Sequence, residues 1–332
     1  MQSMRWLWHI LEFALFTCTT LAFQELCNRS ENIQQGDYRF NNNAWGEDDS
    51  GSVCTYVPNN NSNYFYSEWE WSTQPARVRA YPHIQFESDL LPLTFANISS
   101  LNFTLKWAMS PVSLIASASD DPTTHPNDDA LEAINVEANV VADLFADADM
   151  VVSQQSANQT YEIMVWFGRF GSASKPIGMD DRGQMAITAS VGGFNFTLYN
   201  GTNGNGQSVF SWVSPSILTS FSGDMSPFLH QLARYGLIPW DTYLGVVQFG
   251  TETFYSNSKV KFACKNFQAA LGGPYAAKRE PPPTITVESL PTKASAAMNL
   301  VAFRGDSMLR LSYAALLVHI WAFADLRCLG SL

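Results

Sequence analysis

From Asp37 to Phe267 the chain is a succession of short runs that alternate apolar with other residues, each closed by a cluster of Asn, Gly, Ser or Pro. A period of two sends successive side chains to opposite faces of a strand, so this pattern demands sheets with one face buried. Strands are predicted over Tyr64–Trp71, Ala76–Tyr81, Leu101–Met109, Ala133–Phe145, Thr160–Phe170, Met185–Val191, Phe194–Tyr199, Ser208–Val213, Tyr243–Phe249 and Lys259–Phe267. Many short strands separated by turn residues predict an all-β domain, a sandwich or jelly roll. One segment breaks the pattern. Ser222–Gly236 has a polar start, an early Pro227, apolar Phe228, Leu229 and Leu232, and a closing Gly236, which predicts one short helix.

At 332 residues there is room for one large β domain or two smaller ones. A net charge of -11 argues against nucleic acid or an anionic membrane as partner. Residues 1–22 read as a secretory leader: Arg5, an apolar stretch from Trp6 to Phe16 interrupted by His9 and Glu12, then Thr20-Leu21-Ala22. Seven N-x-Ser/Thr sequons, at Asn28, Asn60, Asn97, Asn102, Asn158, Asn195 and Asn200, fit an extracellular protein. Cys27 and Cys54 flank a short loop-rich stretch and form the natural disulfide of an oxidising compartment. Cys18 leaves with the leader, and Cys264 lies in an alternating strand as a buried thiol. No Cys/His grouping has metal-ligand spacing and no Gly-rich loop suits a phosphate, so no metal and no cofactor are expected.

The domain is expected to close near Gly272. Beyond it, Pro281-Pro282-Pro283 and a Ser/Thr/Ala-rich stretch read as linker. The apolar run from Leu309 to Leu326 is broken by His319 and Asp325. It reads either as the end of a lipid-anchor signal or as a dispensable tail.

The segment YEIMVWFGRFG, Tyr161–Gly171, carries a carboxylate in an otherwise apolar strand. Ile163, Val165 and Phe167 point one way, towards a core. Glu162, Met164 and Trp166 point the other. A later strand, VVQFGTETF, places Gln248, Gly250 and Glu252 on one face. Two carboxylates across a cleft are what glycosidic bond cleavage needs, one to protonate the leaving oxygen and one to attack or to activate water. Taken alone, Glu162 reads equally well as a solvated strand end.

Further motifs stand around these two residues: NNNAWG (Asn41–Gly46), EWEW (Glu68–Trp71), VRAYP (Val78–Pro82), NVVADLF (Asn139–Phe145), PIG (Pro176–Gly178), FSGDMSPFLHQL (Phe221–Leu232) and QFGTETF (Gln248–Phe254). In this order, over roughly Cys27–Leu271, the chain resembles glycoside hydrolase family 12, the secreted endoglucanases and xyloglucanases. The resemblance implies a β-jelly roll of two curved antiparallel sheets with one short helix and an open cleft on the concave face. It implies Glu162 as nucleophile, Glu252 as general acid/base, and Asp143 as the carboxylate beside the nucleophile. It further implies Asn43, Trp45, Met164 and Gln248 as residues that line the sugar site. Two departures stand out: Thr253 follows the acid/base Glu where the family usually has Pro, and Asp120–Asn127 reads as an enlarged acidic turn.

Two functions follow. The first is a retaining endo-hydrolase of β-1,4-glucans acting as a monomer on amorphous cellulose, xyloglucan or mixed-linkage glucan. The second is a non-catalytic glycan-binding or cell-surface recognition protein on the same fold. Fold alone does not choose between them, and the presence of both carboxylates favours the first.

Overall fold

The computed structural model describes residues 22–60, 63–115, 128–155, 158–179 and 184–274. The leader up to residue 21, the acidic turn at 120–127, and everything after Pro274 lie outside the described residues. In chain order the elements are β1 (Phe23–Leu26), β2 (Asn32–Gln35), β3 (Tyr38–Asn41), β4 (Gly51–Pro58), β5 (Phe65–Trp71), β6 (His83–Phe86), β7 (Leu93–Thr94), β8 (Ser100–Pro111), α1 (Asp128–Ala133), β9 (Glu137–Asp147), β10 (Tyr161–Phe170), β11 (Gln184–Val191), β12 (Phe194–Thr202), β13 (Ser208–Val213), β14 (Ser220–Asp224), α2 (Ser226–Arg234), β15 (Tyr243–Gly250), β16 (Thr253–Tyr255) and β17 (Val260–Gly272).

The strands form two sheets. The six-stranded sheet runs β1-β4-β5-β17-β8-β14. The eleven-stranded sheet runs β11-β12-β13-β10-β9-β15-β6-β3-β2, with β16 paired to β9 and β7 paired to β15. The pairings are antiparallel except β10 with β13, which run parallel. Alternation builds the core between the sheets. Ile163, Val165 and Phe167 of β10 pack there with Phe249 of β15, Phe262 of β17 and Trp107 of β8. Burying each side chain of this size stabilises the fold by roughly 1.5–3 kcal/mol. The other face of β10 and its neighbours makes a separate apolar cluster of Tyr81, Val141, Met164, Trp166 and Val209, with Val213 against it.

Several predicted boundaries move, and three of the changes have a local cause. The helix starts at Ser226, because Ser222–Asp224 is taken into β14 against β8. Asp224 Oδ1 then accepts the Ser226 N–H at 2.9 Å and the Leu101 N–H at 2.8 Å, tying helix start to sheet. Gly236, just past the helix end, adopts φ +69°, where glycine is favoured. Ala76–Tyr81 is not a strand, and Ala80 alone bridges Thr253. Its backbone is shared between two segments: Arg79 N–H donates to the Thr253 carbonyl and Tyr81 N–H to that of Asn43. Finally, Ala133 ends the six-residue helix α1. After Asn135 turns the chain at φ +53°, strand β9 begins at Glu137.

Cys27 and Cys54 are disulfide-bonded, with Cα atoms 4.3 Å apart. Cys264 is a free, buried thiol whose pKa burial pushes up. Six of the seven sequon asparagines are exposed. Asn200 departs from the expected outward placement. It is half-buried, because it continues the alternate positions of buried Phe196 and Leu198 along β12.

Candidate active site

Strand register fixes where each polar side chain on the second face of the large sheet sits. Asp143 of β9 lies opposite Met164 of β10 and opposite Gln248 of β15. Extending the row, Met164 faces Ser211 of β13, Gln248 faces Gln85 of β6, and Gln85 faces Arg39 of β3. The parallel row alongside runs Val213, Trp166, Val141, Gly250, His83 and Asn41. These rows cross the strands and floor a groove whose axis is perpendicular to them.

The two glutamates stand on opposite sides of that floor. Glu162 lies opposite Phe145 and Val209, beyond the Asp143 row on one side. Glu252 lies level with Asn139, beyond the Val141 row on the other. Both are half-buried. Glu162 accepts a 2.8 Å hydrogen bond from Asn203 Nδ2. Asn203 is itself fixed by the β12–β13 turn, where its Oδ1 accepts the N–H groups of Asn205 and Gln207 at 3.0 and 3.1 Å. Glu252 sits in the break between β15 and β16, where its carbonyl accepts the Asn139 N–H at 3.1 Å and the Asn139 side chain adds two further bonds. Asn139 Oδ1 accepts the Glu252 N–H at 3.0 Å, and Asn139 Nδ2 donates to Glu252 Oε2.

The electrostatics follow from burial of three carboxyls around one groove. Burial raises Asp143 well above the usual range, and the charges of Glu162 and Glu252 push it further. Burial also raises Glu162, with the Asn203 hydrogen bond pulling the other way. Glu252 is pushed up to about 7, by burial first and then by the Glu162 charge, against the Asn139 hydrogen bond. Because the groups act on one another, their protons belong to the cluster. Tyr81 floors the site between them: its hydroxyl donates to the Val141 carbonyl at 3.2 Å, and its ring stacks on His83 at 4.8 Å. Burial holds His83 neutral, with a pKa of about 4. The opposing Gly250 is required by close approach, since a Cβ there would fall 2.2 Å from the Pro82 carbonyl oxygen.

Four buried polar atoms along the groove, Asp143 Oδ1, Trp166 Nε1, His83 Nε2 and Ser211 Oγ, have no hydrogen-bond partner among the described residues. Buried polar atoms are normally paired, and here the unpaired ones share a single face. Of the remaining sequence candidates, Gln248 is buried and donates to Gln85 Oε1 at 2.7 Å. Met164 is buried beside Asp143. Asn43 borders the floor through its carbonyl, which accepts the Tyr81 N–H. Trp45, two residues on, is 54% exposed and free to stack on a sugar ring. Sequence reasoning missed Asn139 and Asn203. Asn139 carried a usable signal, because it shares a strand face with Asp143. Asn203 sits in an Asn/Gly turn that looks like any other.

Comparison with known proteins gives the family. The profile of Glycosyl hydrolase family 12 matches residues 36–272. The chain belongs to glycoside hydrolase family 12. Among family 12 relatives, it is 31% identical to a probable xyloglucan-specific endo-β-1,4-glucanase A of Aspergillus clavatus, over 75% of this chain and 93% of that one. It is 30% identical to the xyloglucan-specific endo-β-1,4-glucanase A of Emericella nidulans, over 69% and 84%. Among solved family 12 structures, Trichoderma harzianum endoglucanase 3 superposes with a TM-score of 0.61 at 27% identity, covering 75% of this chain and 98% of that one. A Humicola grisea catalytic domain in complex with a soaked thio-cellotetraose gives 0.60 at 27% identity, covering 75% and 99%. This family 12 chain is therefore a glycoside hydrolase of the endoglucanase type.

Proposed function

We propose that this glycoside hydrolase cleaves β-1,4-glucosidic bonds within xyloglucan and related soluble glucans, with retention of configuration. Glu162 attacks the anomeric carbon while Glu252 protonates the leaving oxygen. The glycosyl–Glu162 ester then yields to water, which Glu252 deprotonates. Glu252 must hold a proton while Glu162 is anionic and release it once that charge is esterified. The observation that carries this reading is the pairing of half-buried Glu252, held near 7, with half-buried Glu162 across one groove. Asp143 beside Glu162 takes up proton density when the nucleophile ionises. Met164, Gln248, Asn43 and Trp45 line the glucan path, with Trp45 as its stacking platform.

Xyloglucan leads the substrate classes because the similar Aspergillus and Emericella proteins bear that name. Exposed sequons and the disulfide support an extracellular location. The test is reducing-sugar release from xyloglucan, carboxymethyl cellulose and barley glucan, with proton NMR of the first products. Release from xyloglucan with the β-anomer first is expected. Initial α-anomer would mean inversion, with no glycosyl–Glu162 ester, and would overturn the roles given to the two glutamates; binding without hydrolysis would make the chain a glycan-binding protein.

A further inference from the structure

Glu252 occupies a gap in the sheet. Strand β15 ends at Gly250 and β16 begins at Thr253, so Glu252 lies between two strands, with its carbonyl accepting the Asn139 N–H at 3.1 Å. Asn139 holds it on one side, as described. On the other side stands Thr253, fully buried. The Thr253 N–H donates to the Ala80 carbonyl at 2.9 Å, and its own carbonyl accepts the Arg79 N–H at 2.8 Å. Its hydroxyl accepts from Trp71 Nε1 at 3.0 Å and donates to Ala80 O at 3.4 Å. Trp71 is fully buried at the end of β5, in the opposite sheet, 182 residues away in sequence. An indole N–H can only donate, so in this dry position Thr253 Oγ1 is its acceptor. A non-polar side chain at 253 would leave that N–H orphaned and the backbone after Glu252 held by the Ala80 and Arg79 bonds alone.

We propose that Thr253 is a positioning residue for the acid/base carboxyl, acting with Trp71 as a clamp between the sheets that sets the direction of Glu252. The inference rests on Glu252 being the proton donor. The clamp touches no substrate and acts only through the backbone of the next residue. Its loss therefore falls on the step that needs a well-aimed proton, departure of a poor leaving group, and spares a leaving group that departs unassisted.

The experiment compares kcat/KM on an unactivated cello- or xyloglucan-oligosaccharide with that on a nitrophenyl glycoside of the same sugars. Thr253→Val keeps shape and N–H while removing the hydroxyl. It is expected to lose about tenfold on the oligosaccharide and no more than about twofold on the nitrophenyl substrate. Trp71→Phe should reproduce the selective loss, the double variant should lose no more than either single one, and Thr253→Ser should recover most of it. Equal losses on both substrates, or a Thr253→Val enzyme matching the parent on both, would overturn the proposal. Glu252→Ala run alongside separates the two levels. If it shows no dependence on leaving group, the assignment of Glu252 fails. If it shows that dependence and Thr253→Val does not, only the clamp fails.

Discussion

Replacing Glu252 by Gln tests whether this site trades stability for chemistry. Gln has the same shape, and its amide oxygen can still accept from Asn139 Nδ2. What disappears is a carboxyl held at about 7 instead of its ordinary 4.5. That displacement corresponds to about 3 kcal/mol, taken as a ceiling because part of it is shared with Glu162. The folded form keeps the Glu252 proton up to about pH 7, whereas the unfolded chain releases it near 4.5. Below 4.5 both states are protonated and the group has no effect on stability. From 4.5 to 7 the unfolded state alone loses the proton, so the parent is progressively destabilised, and above 7 the full penalty applies. Glu252→Gln should therefore match the parent at pH 4 and melt higher at pH 8, by no more than about 10 °C for a domain of this size. Activity on glucan should be nearly abolished at both. Thermal melts of the two proteins across pH 4–8 decide the matter. A constant difference across that range, or a variant less stable at pH 8, would show that Glu252 is not held protonated by its surroundings.

Other outcomes follow from the same geometry. Glu162→Gln should remove nearly all hydrolysis while leaving the melting temperature within a few degrees, because the side chain faces the groove; loss of the folded circular dichroism spectrum would contradict this. Trp45→Ala, at an exposed platform, should raise KM on glucan by about tenfold with little change in stability, read from steady-state kinetics. Reduction of the Cys27–Cys54 bond should lower unfolding free energy by roughly 3–4 kcal/mol, measured by denaturant titration with and without reductant. Activity should decline above about pH 7 as Glu252 loses its proton, and a profile still rising at pH 9 would remove Glu252 from the acid role.

Alternation carried most of the fold. The runs that became β5, β8, β10, β12, β13, β15 and β17 were legible because one face of each meets a dry core. The short strands β1, β2 and β6 were not, since four residues hold too little period to separate from loop. Ala76–Tyr81 had a strand-like composition, but its hydrogen bonds go to separate partners, which no local pattern encodes. Glu162 and Glu252 could be found by face, and Asp143 only through the family resemblance. Asn203 was out of reach, because its importance comes from a turn 41 residues away in sequence folding back onto Glu162. Thr253 stands out as a departure, yet the role proposed for it needs Trp71, which only the packing of two sheets brings to it.

Among the described residues strand β17 is the last in sequence and a central one in space, lying between β5 and β8. During synthesis, β1, β4 and β5 on one side and β8 and β14 on the other therefore wait, unjoined, until Val260–Gly272 emerges. Until that moment the groove-bearing sheet has no complete partner to pack on, and Phe65, Trp107 and Phe249, which end up in contact with Phe262, stay open to water. Domain closure is thus limited by long-range pairing, and the nascent chain is at its most aggregation-prone just before Val260–Gly272 arrives.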